Sequence, residues 1–146
     1  MKNDFCYMLR VRYSECDAQK VVFNGRYVDY IDLAATEFMR ATWGNYNDLL
    51  SKGIDLQVVS LTLNWKAPAH FDEVIAITVK PGKIGTTSYG LGLDFHNHEN
   101  SKHLLHADIV YVMVSADQHR KMEIPGQMRQ TLEKGAPGVR VNHSGT

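Results

Sequence analysis

The chain contains 146 residues, of which 44% are hydrophobic and 22% are charged. This length is enough for one domain with a real core and leaves little room for a second domain. The 16 basic residues balance the 16 acidic ones, so the formal net charge is zero. No overall field attracts the chain to nucleic acid or to an anionic membrane surface, and we expect a small-molecule partner.

The sequence shows none of the patterns that mark secretion or membrane insertion. The first strand-like segment begins within a few residues of Met1, and no apolar run approaches the ~20 residues that cross a bilayer. Cys6 and Cys16 are the only two cysteines. We therefore expect a cytoplasmic location, where both thiols stay reduced.

Hydrophobic periodicity predicts a strand followed by a long helix. Apolar side chains alternate in the first segment, as is typical of a half-buried strand, at Phe5, Tyr7, Leu9, Val11 and Tyr13. From Gly25 the apolar period changes to three and four residues, which predicts an amphipathic helix that ends near Gly44.

The rest of the chain is predicted to hold shorter elements. A helical turn is expected over 46–52 and a terminal helix over 125–134. Extended segments are expected at 54–66, 73–81, 86–96 and 103–116. Turn-forming residues at 81–83 and 96–101 separate the last three of these segments and favour antiparallel hairpins.

The order of these elements predicts the fold class. A long helix inserted after the first strand can bury its apolar stripe only by lying across a sheet. We therefore predict an α+β fold in which the helix packs on a curved antiparallel sheet of about five strands. One domain is expected over 1–134, and the polar residues 135–146 are expected to form a flexible tail.

Asp17 lies in a polar loop just before an apolar run and the start of the long helix. An Asp in such a loop is most often a turn former that hydrogen-bonds its own backbone. The alternative is catalysis, because the carboxylate is ionised at neutral pH and can act as a nucleophile or as a general base. The N–H groups of Asn24 and Gly25 at the helix start would then receive developing negative charge.

The segment Tyr13-Ser-Glu-Cys-Asp17-Ala-Gln-Lys-Val-Val-Phe-Asn24-Gly25-Arg-Tyr27 resembles the hotdog-fold thioesterases of the 4-hydroxybenzoyl-CoA thioesterase type. Asp17 falls on the catalytic aspartate of that family, and Tyr27 on the tyrosine of its first helical turn. The resemblance covers roughly 9–132. It also includes the segments 65–69, 72–74, 85–88, 111–114 and 124–125.

The resemblance implies a fold, an activity and an assembly. It implies the hotdog fold and hydrolysis of a small, medium-chain or aromatic acyl-CoA to a free acid and CoA. Asp17 would be catalytic, with Asn24, Gly25 and Tyr27 at the oxyanion and substrate-binding site. CoA enters as part of the substrate, no metal or other cofactor is expected, and the subunits would form a homodimer or homotetramer with the acyl channel between them.

Two alternatives to this function remain open at the level of sequence. The thioester could be carried by acyl-carrier protein instead of CoA. The chain could also be a non-catalytic acyl-thioester binder, because Lys20 stands at the family's usual Gly and Asn24 at a position where one branch has His. Loss of that Gly predicts a different loop conformation or a more exposed turn.

Other polar residues are weaker candidates for chemistry. Asp32 and Glu37 on the long helix are alternative catalysts, although solvated helix carboxylates are common. A histidine cluster, His96, His98, His103 and His106, has imidazoles that could bind metal, but its spacing straddles a hairpin loop and gives only a weak signal. Cys16 is expected to be a packed thiol.

Aromatic and basic residues are candidates for binding the two ends of an acyl-CoA. Phe23, Tyr27, Tyr30 and Trp65 could line an acyl pocket, and core packing explains them equally well. Five exposed cations could bind CoA phosphates, or could simply be solvated, at Lys66, Lys80, Lys83, Arg120 and Lys121.

Overall fold

The computed structural model describes residues 3–146. Its elements, in chain order, are β1 (Phe5–Arg10), a 3-10 turn (Tyr13–Glu15), α1 (Arg26–Thr42), α2 (Tyr46–Ser51), β2 (Ile54–Trp65), β3 (Val74–Ile84), β4 (Ser88–Asn97), β5 (His103–Ser115), α3 (Gly126–Lys134) and β6 (Arg140–Asn142). The predicted order of one strand, a long helix and four further strands is confirmed. None of the helices in 3–146 is long and apolar enough to cross a membrane.

The strands form one six-stranded sheet in the order β2-β5-β4-β3-β1-β6. Hairpins join β3 to β4 and β4 to β5. Strand β1 pairs antiparallel with β3, and β2 pairs antiparallel with β5. The parallel pair is β1 with β6. The strand that follows the helices, β2, therefore lies at one edge of the sheet.

The core lies between α1 and one face of this sheet. The helix buries a stripe at three- and four-residue spacing, Tyr27, Tyr30, Ile31, Ala34, Ala35 and Phe38. The facing side of the sheet buries alternate residues, such as Leu91, Leu93 and Phe95 on β4. Burial of each such large side chain contributes about 1.5–3 kcal/mol, which holds the helix across the sheet.

Local signals set the ends of α1 and the start of α2. The helix stops before Gly44, whose φ of 98° is readily adopted only by glycine. Asn45 then caps α2, because its side-chain oxygen accepts a hydrogen bond from the N–H of Asp48 at 2.9 Å. The helix therefore ends where the sequence predicted.

The predicted turn at 81–83 is wrong, because β3 continues through these residues to Ile84. Pro81 still pairs with Leu91, and the register shifts between Pro81 and Ile84. A proline is tolerated at such an irregularity, where a ladder hydrogen bond is already missing. The chain reverses later, at 85–87.

The segment 135–146, expected to be a flexible tail, adds a strand of three residues, Arg140–Asn142, to the sheet. Its strand β6 pairs with β1, with Val141 opposite Tyr7. Beyond β6, the Nδ1 atom of His143 lies 3.0 Å from the Tyr7 hydroxyl, and Arg10 donates to the carbonyl oxygen of Ser144 at 3.1 Å. The sheet therefore has six strands rather than about five.

Candidate active site

The loop that carries Asp17 is a tight hairpin just before α1. Cys16 pairs antiparallel with Val22 at its base. The N–H of Asp17 donates to the carbonyl of Val21 at 2.9 Å, and the N–H of Lys20 donates to the carbonyl of Asp17 at 3.0 Å. Two backbone hydrogen bonds therefore hold Asp17 at the start of a three-residue hairpin loop.

Lys20 occupies the left-handed position of this loop, with a φ of 65°. Glycine adopts this backbone region readily, and the expectation that its loss changes the loop conformation or exposes the turn stays a prediction. A side chain in this backbone region costs roughly 1–2 kcal/mol, which the two hydrogen bonds of the turn offset.

The Asp17 carboxylate is exposed and only partly engaged. Its Oδ1 accepts a hydrogen bond from the N–H of Gln19 at 2.8 Å, as in an ordinary Asx turn. Its Oδ2 has no hydrogen-bond partner in the part of the chain that the structure describes. The turn-forming role is thus present, and it leaves one oxygen available for chemistry.

The start of α1 offers unpaired backbone donors near this hairpin. The N–H of Phe23 donates to the carbonyl of Glu15 at 2.9 Å, which leads the chain directly into the helix. Gly25 is the N-cap and gives no side-chain cap. Within 3–146, the N–H groups of Asn24 and Gly25 donate to no protein acceptor, and both residues are exposed. Such a helix start favours an anionic ligand.

The Phe23 ring covers one side of this helix start. It is 58% exposed, and a Cβ added to Gly25 would lie 3.3 Å from the ring. A side chain at that position would need the ring to move by a few tenths of an ångström. Phe23 therefore forms an apolar wall beside the two free N–H groups.

Tyr27, which the sequence predicts to bind substrate, is buried in this subunit. It is 1% exposed, and its hydroxyl accepts a hydrogen bond from the N–H of Ala69 at 3.2 Å. Its ring contacts Trp65 edge-on at 6.0 Å between centroids. Burial raises the pKa of Tyr27, so the hydroxyl stays protonated. In this subunit Tyr27 holds the segment before β3 against the helix start.

A cavity of about 290 Å³ lies farther along α1, between the helix and the sheet. Its wall includes Asp32 and Thr36 of α1, Tyr46 of α2, and Leu56 and Val58 of the edge strand β2. Tyr89, Tyr111 and Trp43 add aromatic surface. Of the four aromatics proposed for an acyl pocket, none lines this cavity, and Asp17, Asn24 and Gly25 of the same subunit do not reach it.

Comparison with known proteins identifies the family. Residues 19–102 match the thioesterase superfamily, a range that begins two residues after Asp17 and includes Asn24, Gly25 and Tyr27. The chain belongs to this superfamily. It is therefore a thioester hydrolase, and its architecture is the hotdog fold that the sequence predicted.

Individual members of the superfamily are distant in sequence. The Escherichia coli acyl-CoA thioester hydrolase YbgC is 26% identical over 121 residues, or 83% of this chain and 90% of that protein. A protein of Aquifex aeolicus is 29% identical over 73 residues, and the match spans 50% of this chain and 57% of that protein. The crystal structure of Slr0204, a 1,4-dihydroxy-2-naphthoyl-CoA thioesterase from Synechocystis, superposes with a TM-score of 0.79 at 16% identity, covering 88% of this chain and 94% of that one. The last comparison shows a shared fold.

The two alternative carboxylates on α1 differ in their surroundings. Asp32 lines the 290 Å³ cavity. Burial of Tyr111 and, as a smaller cause, the negative charge of Asp32 raise the pKa of Tyr111 to about 12. Glu37 accepts a hydrogen bond from Arg40 at 3.3 Å, and its side chain is only 18% exposed. Asp32 is thus placed to contact a ligand in this cavity, whereas Glu37 is partly buried and paired with Arg40 along the helix.

The histidine cluster is joined by carboxylates on β4 and β5. Asp94 Oδ1 lies 2.9 Å from His103 Nε2 and 2.8 Å from His106 Nδ1, and Asp108 contacts the other nitrogen of His106 at 3.0 Å. Burial alone would raise the pKa of Asp94, but the two imidazoles hold it below its usual value. Among the described residues no set of three such side chains is arranged to hold a metal ion.

Cys16 and the exposed cations complete the candidates. The Cys16 thiol is half-buried and lies 3.5 Å from the carbonyl oxygen of Arg12. Burial, together with the Glu15 and Asp17 carboxylates, raises the pKa of this thiol, so it is a poor nucleophile. The five candidate cations for CoA phosphates are all exposed, and none forms an ion pair in the described residues.

Sequence reasoning missed one residue beside Asp17. Glu15 accepts hydrogen bonds from the Tyr30 hydroxyl at 2.8 Å and from the Arg12 N–H at 2.9 Å. The available signal was the tyrosine on the buried stripe of α1, because a buried tyrosine hydroxyl needs a hydrogen-bond partner. Which residue supplies that partner follows only from the fold.

Proposed function

We propose that this thioesterase hydrolyses acyl-CoA to a free acid and CoA, with Asp17 as nucleophile or general base. The proposal rests on one observation. Among the described residues, the N–H groups of Asn24 and Gly25 have no acceptor, and the neighbouring hairpin holds Asp17 with one carboxylate oxygen free. A carboxylate beside free helix-start donors is the equipment that acyl transfer requires.

The chemistry needs little more than these groups. Asp17 either attacks the thioester carbonyl carbon or removes a proton from a water that attacks it. In both versions the carbonyl oxygen gains negative charge, and the Asn24 and Gly25 N–H groups stabilise it; one such donor is typically worth about 3 kcal/mol. CoA then leaves as a thiolate, an easy leaving group because a free thiol has a pKa near ~8.5. In the nucleophilic version, water afterwards hydrolyses the acyl-aspartate anhydride.

Exposed apolar side chains on the edge strand β2 support assembly as a homodimer through this strand. Val58 and Val59 on this strand are 50% and 58% exposed, and Trp65 at its end is 48% exposed. An apolar edge strand with free backbone groups pairs readily with another strand. Antiparallel pairing with β2 of a second subunit covers these side chains, and two such dimers can build a homotetramer.

Such a dimer brings the two halves of the site together. Strand β2 lines the cavity near its start, with Leu56, and ends beside the α1 N-terminus, where Trp65 contacts Tyr27. In an antiparallel pair related by a two-fold axis, the start of one β2 faces the end of the other. The cavity of one subunit then receives the acyl group while the partner's Asp17, Asn24 and Gly25 act on the thioester.

The lining of the cavity suggests the substrate class. Three tyrosines and a tryptophan suit a flat aromatic or a short to medium apolar acyl group, and Asp32 can accept a hydrogen bond from a hydroxyl on it. The naphthoyl-CoA substrate named for the Synechocystis protein is of this kind. The left-handed φ of Lys20, which a glycine would adopt readily, supports catalysis over a decayed, merely binding site. Two free cysteines support a reducing compartment, the cytoplasm.

Thiol release from a panel of aliphatic and aromatic acyl-CoAs tests the proposal. The wild type is compared with Asp17→Asn and with a control, Asp29→Asn, an exposed carboxylate that pairs with Arg26. We expect Asp17→Asn to lose at least ~10²-fold, about 2.7 kcal/mol of transition-state stabilisation, and the control to keep its activity. Equal activity in wild type and Asp17→Asn rejects the role of Asp17.

Two further arms separate the alternatives. A non-catalytic binder retains affinity for acyl-CoA in all three proteins and releases no thiol from any of them. Faster turnover of an acyl group on acyl-carrier protein than on CoA assigns the carrier protein as the partner.

A further inference from the structure

Glu15 connects the segment that carries Asp17 to the segment that carries the Asn24 and Gly25 N–H groups. Its N–H donates to the Arg12 carbonyl at 3.0 Å, and its own carbonyl accepts from the Phe23 N–H at 2.9 Å. Asp17 follows two residues later, and Asn24 directly follows Phe23. The backbone of Glu15 is therefore tied both to the segment that carries the carboxylate and to the segment that carries the free N–H groups.

The side chain of Glu15 links this segment to the long helix by a hydrogen bond. Its Oε1 accepts both the Tyr30 hydroxyl, at 2.8 Å, and the Arg12 N–H, at 2.9 Å. Tyr30 is 1% exposed and packs against the Tyr27 ring at 6.0 Å. Through this contact a rigid residue of the core sets where the hairpin sits relative to the start of α1.

Tyr30 remains a hydrogen-bond donor at every physiological pH. Burial, and next the hydrogen bond to Glu15, raise the pKa of Tyr30 far above its ordinary value. Tyr30 therefore keeps the proton that it donates to Glu15 at 2.8 Å.

We infer that Glu15 and Tyr30 are positioning residues, which hold the Asp17 carboxylate at its working distance from the Asn24 and Gly25 N–H groups. This inference rests on the proposed function. Catalysis depends steeply on such placement, because an error of about 1 Å can cost ~10²-fold in rate. Neither residue touches the reacting atoms.

The role requires an acceptor oxygen at Glu15 and does not require its charge. The amide oxygen of glutamine can accept the same two hydrogen bonds. Glu15→Gln is therefore expected to keep the hairpin in place, whereas Glu15→Ala and Tyr30→Phe remove the contact from one side or the other. Tyr30→Phe keeps the ring that fills the core.

The kinetic test uses these three variants and a matched control. Tyr7→Phe removes the hydroxyl of an equally buried tyrosine in the same groove, whose Oη lies 3.0 Å from His143 Nδ1 and forms no hydrogen bond with Glu15 or the hairpin. We expect Glu15→Ala and Tyr30→Phe to lose ~10–100-fold in kcat with KM nearly unchanged. Glu15→Gln and Tyr7→Phe should retain kcat, and Glu15→Ala/Tyr30→Phe should be no slower than Glu15→Ala alone.

Several outcomes overturn the inference. If Glu15→Gln is as slow as Glu15→Ala, the charge of Glu15 is needed and the residue takes part in the reaction. If Tyr30→Phe keeps full kcat, the contact does not position the site. A loss in Tyr7→Phe as large as that in Tyr30→Phe means that both report only general stability.

A second measurement does not depend on activity. The Phe23 and Gln19 N–H groups lie in the hairpin, and their hydrogen exchange should become roughly tenfold faster or more in Tyr30→Phe and not in Tyr7→Phe. Unchanged exchange overturns positioning even if no substrate is turned over. Unchanged activity in Asp17→Asn, with faster exchange in Tyr30→Phe, instead rejects the proposed catalyst and leaves the anchoring role intact.

Discussion

Lys20 donates its backbone N–H to the carbonyl oxygen of Asp17 over 3.0 Å while holding a left-handed φ of 65°. A glycine at this position avoids the steric cost of a side chain but loses more conformational entropy on folding. We expect Lys20→Gly to raise the free energy of unfolding by about 0.5–1 kcal/mol, measured by urea denaturation. Lys20→Ala is the control, because it removes the long side chain and keeps the backbone cost. Equal stabilisation by both variants contradicts the backbone explanation.

The long elements could be predicted from sequence because each has a strong apolar period. The period predicts helix α1 to within two residues of its observed bounds, Arg26–Thr42. Strand β6 could not be found this way, because Arg140–Asn142 has only three residues and no apolar alternation. Its pairing with β1 depends on a contact across more than 130 residues, which no local pattern records.

The site was predictable as a set of residues and not as a set of contacts. Asp17, Asn24 and Gly25 follow from a motif in one continuous segment. The burial of Tyr27 and the bond from Tyr30 to Glu15 depend on how α1 lies on the sheet. The period from Tyr27 to Ile31, Ala34 and Phe38 predicts Tyr27 on the buried stripe but does not include Tyr30, and the hydroxyl partners of both tyrosines come from other segments of the chain.

Phe38 on α1 should be among the residues on which stability depends most. It is 2% exposed and meets Phe5 of β1 edge-on at 5.5 Å between ring centroids. Phe38→Ala is expected to lower the free energy of unfolding by about 3–5 kcal/mol in chemical denaturation, because it removes apolar burial and leaves a cavity. Leu33→Ala, at a helix position that is 47% exposed, should change it by less than ~0.5 kcal/mol. Similar losses in the two variants would mean that the core is placed wrongly.

The Asp94 network should make stability depend on pH. Hydrogen bonding to Asp94 raises the pKa of His106 above 6.5, so this contribution is complete below that pH and is lost as the pH rises through the higher folded value. The pKa of Asp94 lies below 3.8, so its contribution is present above that pH and is lost on further acidification. The stabilisation is therefore greatest between the two ordinary values.

Asp94→Asn tests this window. The difference in free energy of unfolding between wild type and Asp94→Asn should be larger at pH 5.5 than at pH 8. Asp108→Asn is the control, because Asp108 is 61% exposed and contacts only the second nitrogen of His106. Its effect should be smaller at both pH values, since solvent screens exposed pairs. A difference for Asp94→Asn that grows with pH has the wrong sign for this network.

Met39 tests the assignment of the 290 Å³ cavity as the acyl site. Its side chain lines the cavity from α1, and tryptophan at this position should fill part of the space. We expect Met39→Trp to lower kcat/KM for bulky aromatic or medium-chain acyl-CoAs by ~10–100-fold, as is typical for a lost pocket contact. Acetyl-CoA turnover should change little and serves as the internal control. A uniform loss across all chain lengths would place the acyl group elsewhere.

Val59 on β2 tests the assembly and the shared site together. It is 58% exposed and, unlike Val58, does not line the cavity, so an arginine there puts a charge into the proposed β2–β2 contact without entering the acyl site. Val59→Arg should shift the protein to monomers in sedimentation experiments and should abolish thioesterase activity, because each cavity then lacks the partner's Asp17. Val139→Arg, at a residue that is 38% exposed near the opposite edge, is the matched control and should leave both unchanged. A monomeric Val59→Arg that remains fully active would show that one subunit holds a complete site, and the geometry proposed for the acyl group would then be wrong.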